Sequence, residues 1–170
     1  WGSREAAAKA WIDQGFAFYF RDNFGNAMRR FNQAWLLDPS NPEVYHGMAS
    51  VLTDQGDVCG AMEIFDKGLN LRWTAPTNES GFLADVAKVI TYCAVYKKNN
   101  GIEEGYLELL EKSDSIFLRA EALEKTKPEL RDGYLYANWW MALYTRGEYA
   151  KAWEKVFLLR KEGGEMRGNY

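Results

Sequence analysis

The sequence of 170 residues predicts an all-α fold built from about four antiparallel helical hairpins. Three observations lead to this prediction. Apolar residues recur at three- and four-residue spacing along most of the chain, which is the period of one face of an α-helix. An order of large and small side chains returns after 34 residues. Clusters of Gly, Asn and Asp separate the periodic segments and favour tight reversals between helices.

The first hairpin is predicted over residues 8–40 from its order of large and small side chains. The residues in that order are Trp11, Gln14, Gly15, Phe18, Ala27, Phe31, Ala34 and Pro39. Two helices approach closely only where a small residue faces the neighbouring helix, so we expect Gly15 to oppose Ala27. Residues 21–26 between the two helices supply the Gly, Asn and Asp of a turn.

The second hairpin, predicted over residues 41–73, repeats that order 34 residues later. Its matching residues are Tyr45, Met48, Ala49, Leu52, Ala61, Phe65 and Gly68. The segment 38–42 separates the two hairpins, because it contains two prolines and Pro is favoured in a first helical turn. Two consecutive matches in register indicate an internal repeat.

The third and fourth hairpins, predicted over residues 79–122 and 128–162, follow the order more loosely. The small position that opens the second helix of each hairpin recurs after 34, 44 and 47 residues, at Ala27, Ala61, Gly105 and Ala152. The later hairpins therefore contain insertions, which we expect to lengthen helices and the connection around residues 125–128. Residues 163–170 are predicted to be a tail.

The repeated order resembles the tetratricopeptide repeat, in which W-x-x-L-G-x-x-Y is followed by A-x-x-x-F and P. The resemblance covers roughly residues 8–160 and is most specific in the first two hairpins. It implies a right-handed α-α superhelix, here a single domain over 1–170, whose concave face is lined by the first helix of each hairpin. It also implies a scaffold that binds other proteins, although a fold does not determine what is bound.

If each helix turns the same face to the concave side as in this family, the concave face is a groove rich in aromatic side chains. The predicted groove residues are Ile12, Phe16, Tyr19, Phe20, His46, Ser50, Thr53, Ile90, Ala94, Lys97, Lys98, Tyr134, Asn138, Met141 and Tyr144. Aromatic and Met side chains bury large areas, which suits the capture of an extended peptide or a partner helix. The alternative is that several of them pack against neighbouring repeats or self-associate.

No catalytic, metal or cofactor site is predicted, and we do not expect an enzyme. His46 is the only histidine, so most acid–base and zinc schemes lack a group they need. The sequence contains no G-x-S-x-G, HExxH or P-loop pattern. Cys59 and Cys93 lack metal-binding spacing; two thiols or a disulfide both fit the sequence.

The charge and hydropathy of the chain limit its partners. The net charge is −3 and no concentrated basic face is evident, which argues against nucleic acid. No run reaches the roughly 18 apolar residues of a membrane span. We expect a protein or peptide partner; the alternative is a structural element of a larger assembly, including a homo-oligomer or a bacterial envelope lipoprotein. The chain begins with Trp1 rather than Met, which leaves its localisation unknown, in the cytoplasm or, if processed, the bacterial periplasm.

Overall fold

A computed structural model describes residues 3–73, 79–127 and 133–161 of the chain. Within these residues the protein has eight α-helices and no β-strand. The helices are α1 (Arg4–Tyr19), α2 (Phe24–Leu37), α3 (Pro42–Asp54), α4 (Val58–Leu69), α5 (Glu79–Asn99), α6 (Tyr106–Thr126), α7 (Tyr134–Thr145) and α8 (Tyr149–Lys161). The prediction of an all-α fold of helical hairpins is confirmed.

Each pair of consecutive helices packs as a hairpin, α1 with α2, α3 with α4, α5 with α6 and α7 with α8. The chain divides into two compact units, Trp1–Thr74 and Ala75–Tyr170. The first unit contains α1–α4 and the second contains α5–α8. The single domain and the superhelical sense remain predictions. The predicted start of the fourth hairpin at residue 128 and the predicted tail lie outside the described residues.

All four hairpins close with the same turn, in which a residue of positive φ follows the end of the first helix by two or three residues. These residues are Asp22, Gly56, Gly101 and Gly147, with φ of 55°, 86°, 81° and 83°. In every case the amide of the next residue donates a hydrogen bond to the carbonyl five residues before it. This Schellman arrangement satisfies carbonyls at the end of the helix and favours Gly at the positive φ. The third hairpin therefore closes like the others, although its sequence matches the repeat only loosely.

In the first two hairpins, a side-chain cap starts the helix that follows the turn. Asn23 and Asp57 accept hydrogen bonds from the amides of Asn26 and Gly60, at 3.3 and 2.9 Å. Such caps satisfy amides that have no partner inside the helix. The third hairpin has the same turn but a longer connection, because residues 102–105 lie between Gly101 and the start of α6. Its two helices have 21 residues each, against 12 to 16 in the other hairpins. The predicted lengthening of helices is therefore confirmed for the third hairpin and wrong for the fourth, whose helices have 12 and 13 residues.

The core of the first unit is built around the ring of Phe31 in α2, which is fully buried. The ring lies against the backbone of Gly15 in α1 and of Gly47 in α3. A Cβ atom at Gly15 would stand 2.5 Å from a ring carbon, and one at Gly47 would also collide with the ring. Gly15 thus leaves room for the large Phe31 ring, whereas its approach to Ala27 stays a prediction.

The core of the second unit joins α5, α6 and α7. The Ser113 hydroxyl of α6 donates to the Ala87 carbonyl of α5 at 2.7 Å and lies 2.9 Å from the Thr91 hydroxyl. All three residues are buried, so these bonds satisfy polar groups that water does not reach. The Phe117 ring stacks on Trp139 with centroids 5.0 Å apart, which ties α6 to α7.

We expect Gly47→Ala to lower the free energy of unfolding by about 1–3 kcal/mol, because the added methyl group collides with the Phe31 ring in a packed core. Urea denaturation followed by circular dichroism measures the change. Gly25→Ala in α2 is the control, because no atom lies within 4 Å of its Cβ position. It should leave stability unchanged or raise it by up to about 1 kcal/mol, since Ala is favoured in helices. Wild-type stability of Gly47→Ala would contradict the role given to the ring.

Candidate functional site

Four of the predicted groove residues meet on one surface of the first unit, where α1 lies beside α3. They are Phe16, Tyr19 and Phe20 of α1 and His46 of α3, and we call them the α1–α3 aromatic surface. The Phe16 ring centroid lies 6.4 Å from Tyr19, 6.2 Å from Phe20 and 6.0 Å from His46. The contact between Phe16 and His46 joins the first hairpin to the second.

The local sequence places these rings on one face, because residues three and four apart are neighbours on a helix. Phe16 also packs edge-on against the core ring of Phe31, with centroids 5.1 Å apart. Phe20 caps the end of α1 and is 77% exposed. The surface thus combines a ring held by the core with a ring that is open to solvent.

Acidic side chains border this aromatic surface. The Tyr19 hydroxyl donates to a carboxylate oxygen of Asp54 at 2.6 Å. In the first half of α1, Lys9 forms an ion pair with Asp13 at 3.0 Å. The hydrogen bond and the charge of Asp13, helped by the charge of Glu43, raise the pKa of Lys9. Asp13 and Glu43 act on Lys9, and Asp54 contacts Tyr19, so these four charged groups of the first unit sum to a charge of −2.

The remaining predicted groove residues of the first unit contribute less to this surface. Ser50 and Thr53 are partly buried, and their hydroxyls donate within α3, to the carbonyls of His46 and Ala49, at 2.8 Å each. Ile12 is buried in the core around Phe31, so its assignment to an exposed groove is wrong. The reason is that α2 and α3 cover the face of α1 on which Ile12 lies.

In the second unit several predicted groove residues are buried. Ile90 and Ala94 are inaccessible within α5, so their assignment to the groove is wrong. Asn138 is also buried, and its amide donates to the Tyr134 carbonyl at 3.0 Å, which makes it a structural residue rather than a surface one. The Tyr134 hydroxyl lies 3.0 Å from both carboxylate oxygens of Asp85.

The other predicted residues of the second unit make separate local contacts. The Lys98 ammonium group lies 4.4 Å from the centroid of the Tyr106 ring. Tyr144 packs against Tyr149 with centroids 5.2 Å apart. Lys97 and Met141 are partly buried on α5 and α7. Binding by these residues remains a prediction.

Three exposed aromatic residues of α8 are not among the predicted groove residues, because the groove was expected to be lined by the first helix of each hairpin. They are Tyr149, Trp153 and Phe157, and we call them the α8 stripe; their side chains are 57%, 65% and 70% exposed. Their four-residue spacing places them on one helical face. That spacing is visible in the sequence, but it would equally fit a buried face.

A cluster of charged and aromatic side chains holds α8 against α6 and α7. The Lys155 ammonium group lies 3.3 Å from the centroid of the Trp139 ring and 3.9 Å from a carboxylate oxygen of Glu121. Burial lowers the pKa of Lys155, and the negative charge of Glu121 only partly opposes this. For Glu121, burial favours the protonated form, but the hydrogen bond from Lys125 and the charge of Lys155 outweigh it and hold its pKa below the ordinary value. We therefore assign this cluster the role of positioning α8 against α6 and α7.

Several kinds of site are absent from residues 3–73, 79–127 and 133–161. Over these ranges no group of three or more His, Cys, Asp or Glu side chains could hold a metal ion. No helix in the described part of the chain has the length and apolar character needed to cross a bilayer. Cys93 is buried in α5 and Cys59 is partly buried in α4; neither is a free thiol, so of the two alternatives that the sequence left open, two thiols is wrong.

Comparisons with known proteins show a likeness to solved structures. No protein-family model and no curated protein match the chain. A solved structure described as "Functional Characterization of Pseudomonas Aeruginosa pilF" is 18% identical in sequence, with a TM-score of 0.41. The match covers 95% of this chain and 79% of the other chain.

We expect Glu121→Gln to be less stable than wild type at pH 7 by about 1 kcal/mol, because it removes the charge that pairs with Lys125 and Lys155. The pKa of Glu121 is lowered from 4.5 in the folded protein, so its contribution is present above that value and is lost as the pH falls through the folded pKa. The two unfolding free energies should therefore converge in acid.

Urea denaturation at a series of pH values measures this convergence. Glu111→Gln is the matched control, since Glu111 is an exposed residue of the same helix. It should follow the wild-type curve. A constant difference between Glu121→Gln and wild type down to the most acidic pH would contradict the ion-pair assignment.

Proposed function

We propose that the chain is a protein-interaction scaffold of the tetratricopeptide kind, and that its α1–α3 aromatic surface binds a segment of a partner protein. The convergence of four rings from two hairpins is the observation that carries this proposal. Binding energy at protein interfaces concentrates in large, central side chains, aromatic ones among them. The identical hairpin closures, 34 residues apart in the first two hairpins, support the tetratricopeptide interpretation.

The acidic border indicates which partner segment fits. Asp54 contacts Tyr19. Asp13 and Glu43 precede Phe16 and His46 by three residues on their helices, a spacing that makes them neighbours on the helix surface. These carboxylates attract Lys or Arg, whereas the rings accept an apolar side chain. Glu43 and Asp54 lie in the first and last turns of α3, so they are about 16 Å apart along the helix axis. An extended segment spans that distance in roughly five residues. The proposed ligand is therefore a short segment with an apolar anchor between two basic residues.

A second function, self-association within an assembly, is favoured by a different observation. The α8 stripe exposes three large aromatic side chains on one face of α8. An uncovered aromatic face is typical of an interaction site.

Binding of synthetic peptides tests the proposed scaffold function. A panel carries a central Phe or Leu flanked on both sides by Lys, Gln or Asp, and fluorescence anisotropy gives each affinity. We expect the Lys-flanked peptides to bind most tightly and the Asp-flanked peptides least, with the difference shrinking at high salt. Phe20→Ser should weaken binding at least about tenfold, which corresponds to about 1.4 kcal/mol.

Phe20 is the better position for this test than Phe16, because Phe16 also contacts the core ring of Phe31. Leu107→Ser is the control, since Leu107 of α6 is also highly exposed but belongs to the other unit. Asp54→Asn should reduce the preference for Lys while leaving the binding of Gln-flanked peptides unchanged. Equal binding by Phe20→Ser and wild type, or no preference between Lys and Asp, would show that the surface does not act as proposed.

A further inference from the structure

We infer that the α8 stripe binds the same stripe of a second copy of this chain, so that the protein forms an antiparallel dimer through α8. The stripe belongs to the second unit, whereas the α1–α3 aromatic surface belongs to the first. The dimer therefore does not depend on the proposed binding of a partner segment. It gives the alternative of self-association a specific surface.

The stripe is a second apolar face on a helix that is already packed. Ala152, Val156 and Leu159 of α8 are buried and attach the helix to its own unit. The stripe residues lie on a different face and contribute little to that attachment, because more than half of each side chain is exposed. Phe157 follows Tyr149 by eight positions, so the stripe is about 12 Å long. The Tyr144 ring, packed on Tyr149, extends it further.

The order of residues along α8 favours an antiparallel copy of the same helix as the partner. The helix begins with an aromatic residue, Tyr149, and ends with two basic ones, Arg160 and Lys161. In a parallel pair the basic ends would repel each other. In an antiparallel pair each basic end lies beside the second copy's Tyr149, where a cation is attracted to the face of the ring.

The central aromatic residues are compatible with the same antiparallel register. A two-fold axis that passes between Trp153 and Phe157 sets each Trp153 opposite the second copy's Phe157. A two-fold axis at this point also makes the contact occur twice, as in most homodimers. In this register rings meet rings, and each basic end meets the Tyr149 ring of the second copy.

The exposed area predicts a weak dimer. A large aromatic side chain buries roughly 150–250 Å², so the exposed parts of the stripe offer on the order of 400 Å² in each copy. Tyr144 and the stems of the basic residues bring the total for two copies to about 1,000 Å², near the lower limit for a biological interface. Dimerisation should therefore depend on concentration, with a dissociation constant in the micromolar range or weaker.

Analytical ultracentrifugation of the full chain tests the dimer over about 1–100 μM, a range suited to so small an interface. We expect a monomer–dimer equilibrium for wild type. The double variant Trp153→Ser, Phe157→Ser should weaken dimerisation at least about tenfold. Circular dichroism shows whether that variant keeps its helical content. Leu107→Ser is the control, because it removes a similarly exposed apolar side chain from the same unit, and it should dimerise like wild type.

Cross-linking tests the face and register without disturbing the stripe. Glu154 lies at the edge of the stripe near the proposed two-fold axis, whereas the exposed Lys151 lies on the other side of α8. A short bismaleimide should link two copies of Glu154→Cys and should link Lys151→Cys poorly. A wild-type chain that stays monomeric throughout, a dimer unaffected by the double variant, or equal cross-linking at both positions would each overturn the inference.

Each pattern of results separates this inference from the proposed scaffold function. If Phe20→Ser loses peptide binding but remains a dimer, both hold. If Trp153→Ser, Phe157→Ser is monomeric and still binds peptides, the two surfaces act independently. A wild-type monomer that binds the Lys-flanked peptides would overturn the dimer alone, and a dimer that binds no peptide would overturn the scaffold function alone.

Discussion

The packing of one aromatic ring against two glycines sets the geometry of the first unit. Phe31 reaches from α2 to the backbones of Gly15 in α1 and Gly47 in α3, which approach it without an intervening Cβ atom. Protein cores are close-packed, so a ring in this position leaves little freedom to the helices around it. The contact of Phe31 with both glycines thereby holds α1 beside α3. The α1–α3 aromatic surface depends on this contact.

The α1–α3 aromatic surface is connected to the core through the edge-on contact between Phe16 and Phe31. A ring held by the core loses little conformational freedom when a partner binds, which reduces the cost of association. The hydrogen bond from Tyr19 to Asp54 orients a second ring and places a carboxylate beside it. Packing and charge at this surface thus come from the same few residues.

The second unit presents a different balance, because α8 has apolar side chains on two faces. One face is buried, and Lys155 strengthens its attachment through the ring of Trp139. The other carries the exposed α8 stripe. A helix of this kind is held firmly by its own unit while it offers large rings to a neighbour, and this combination gives an interface a rigid side.

The sequence by itself determined the helices, their order and the hairpin turns, because these depend on local properties. Apolar periodicity and caps such as Asn23 and Asp57 act within a few residues, and Gly101 marks the third turn although the surrounding repeat is loose. A match to the 34-residue order therefore located the first two hairpins to within a few residues of the observed helices.

Only the tertiary structure decided which face of each helix is covered. Ile12 and Phe16 lie one helical turn apart and have similar hydropathy, yet Ile12 is in the core and Phe16 borders the surface. Likewise the spacing of the α8 stripe fits a buried face as well as an exposed one. Periodicity specifies that residues share a face, but the elements that cover that face come from distant parts of the chain, so their positions follow from packing alone.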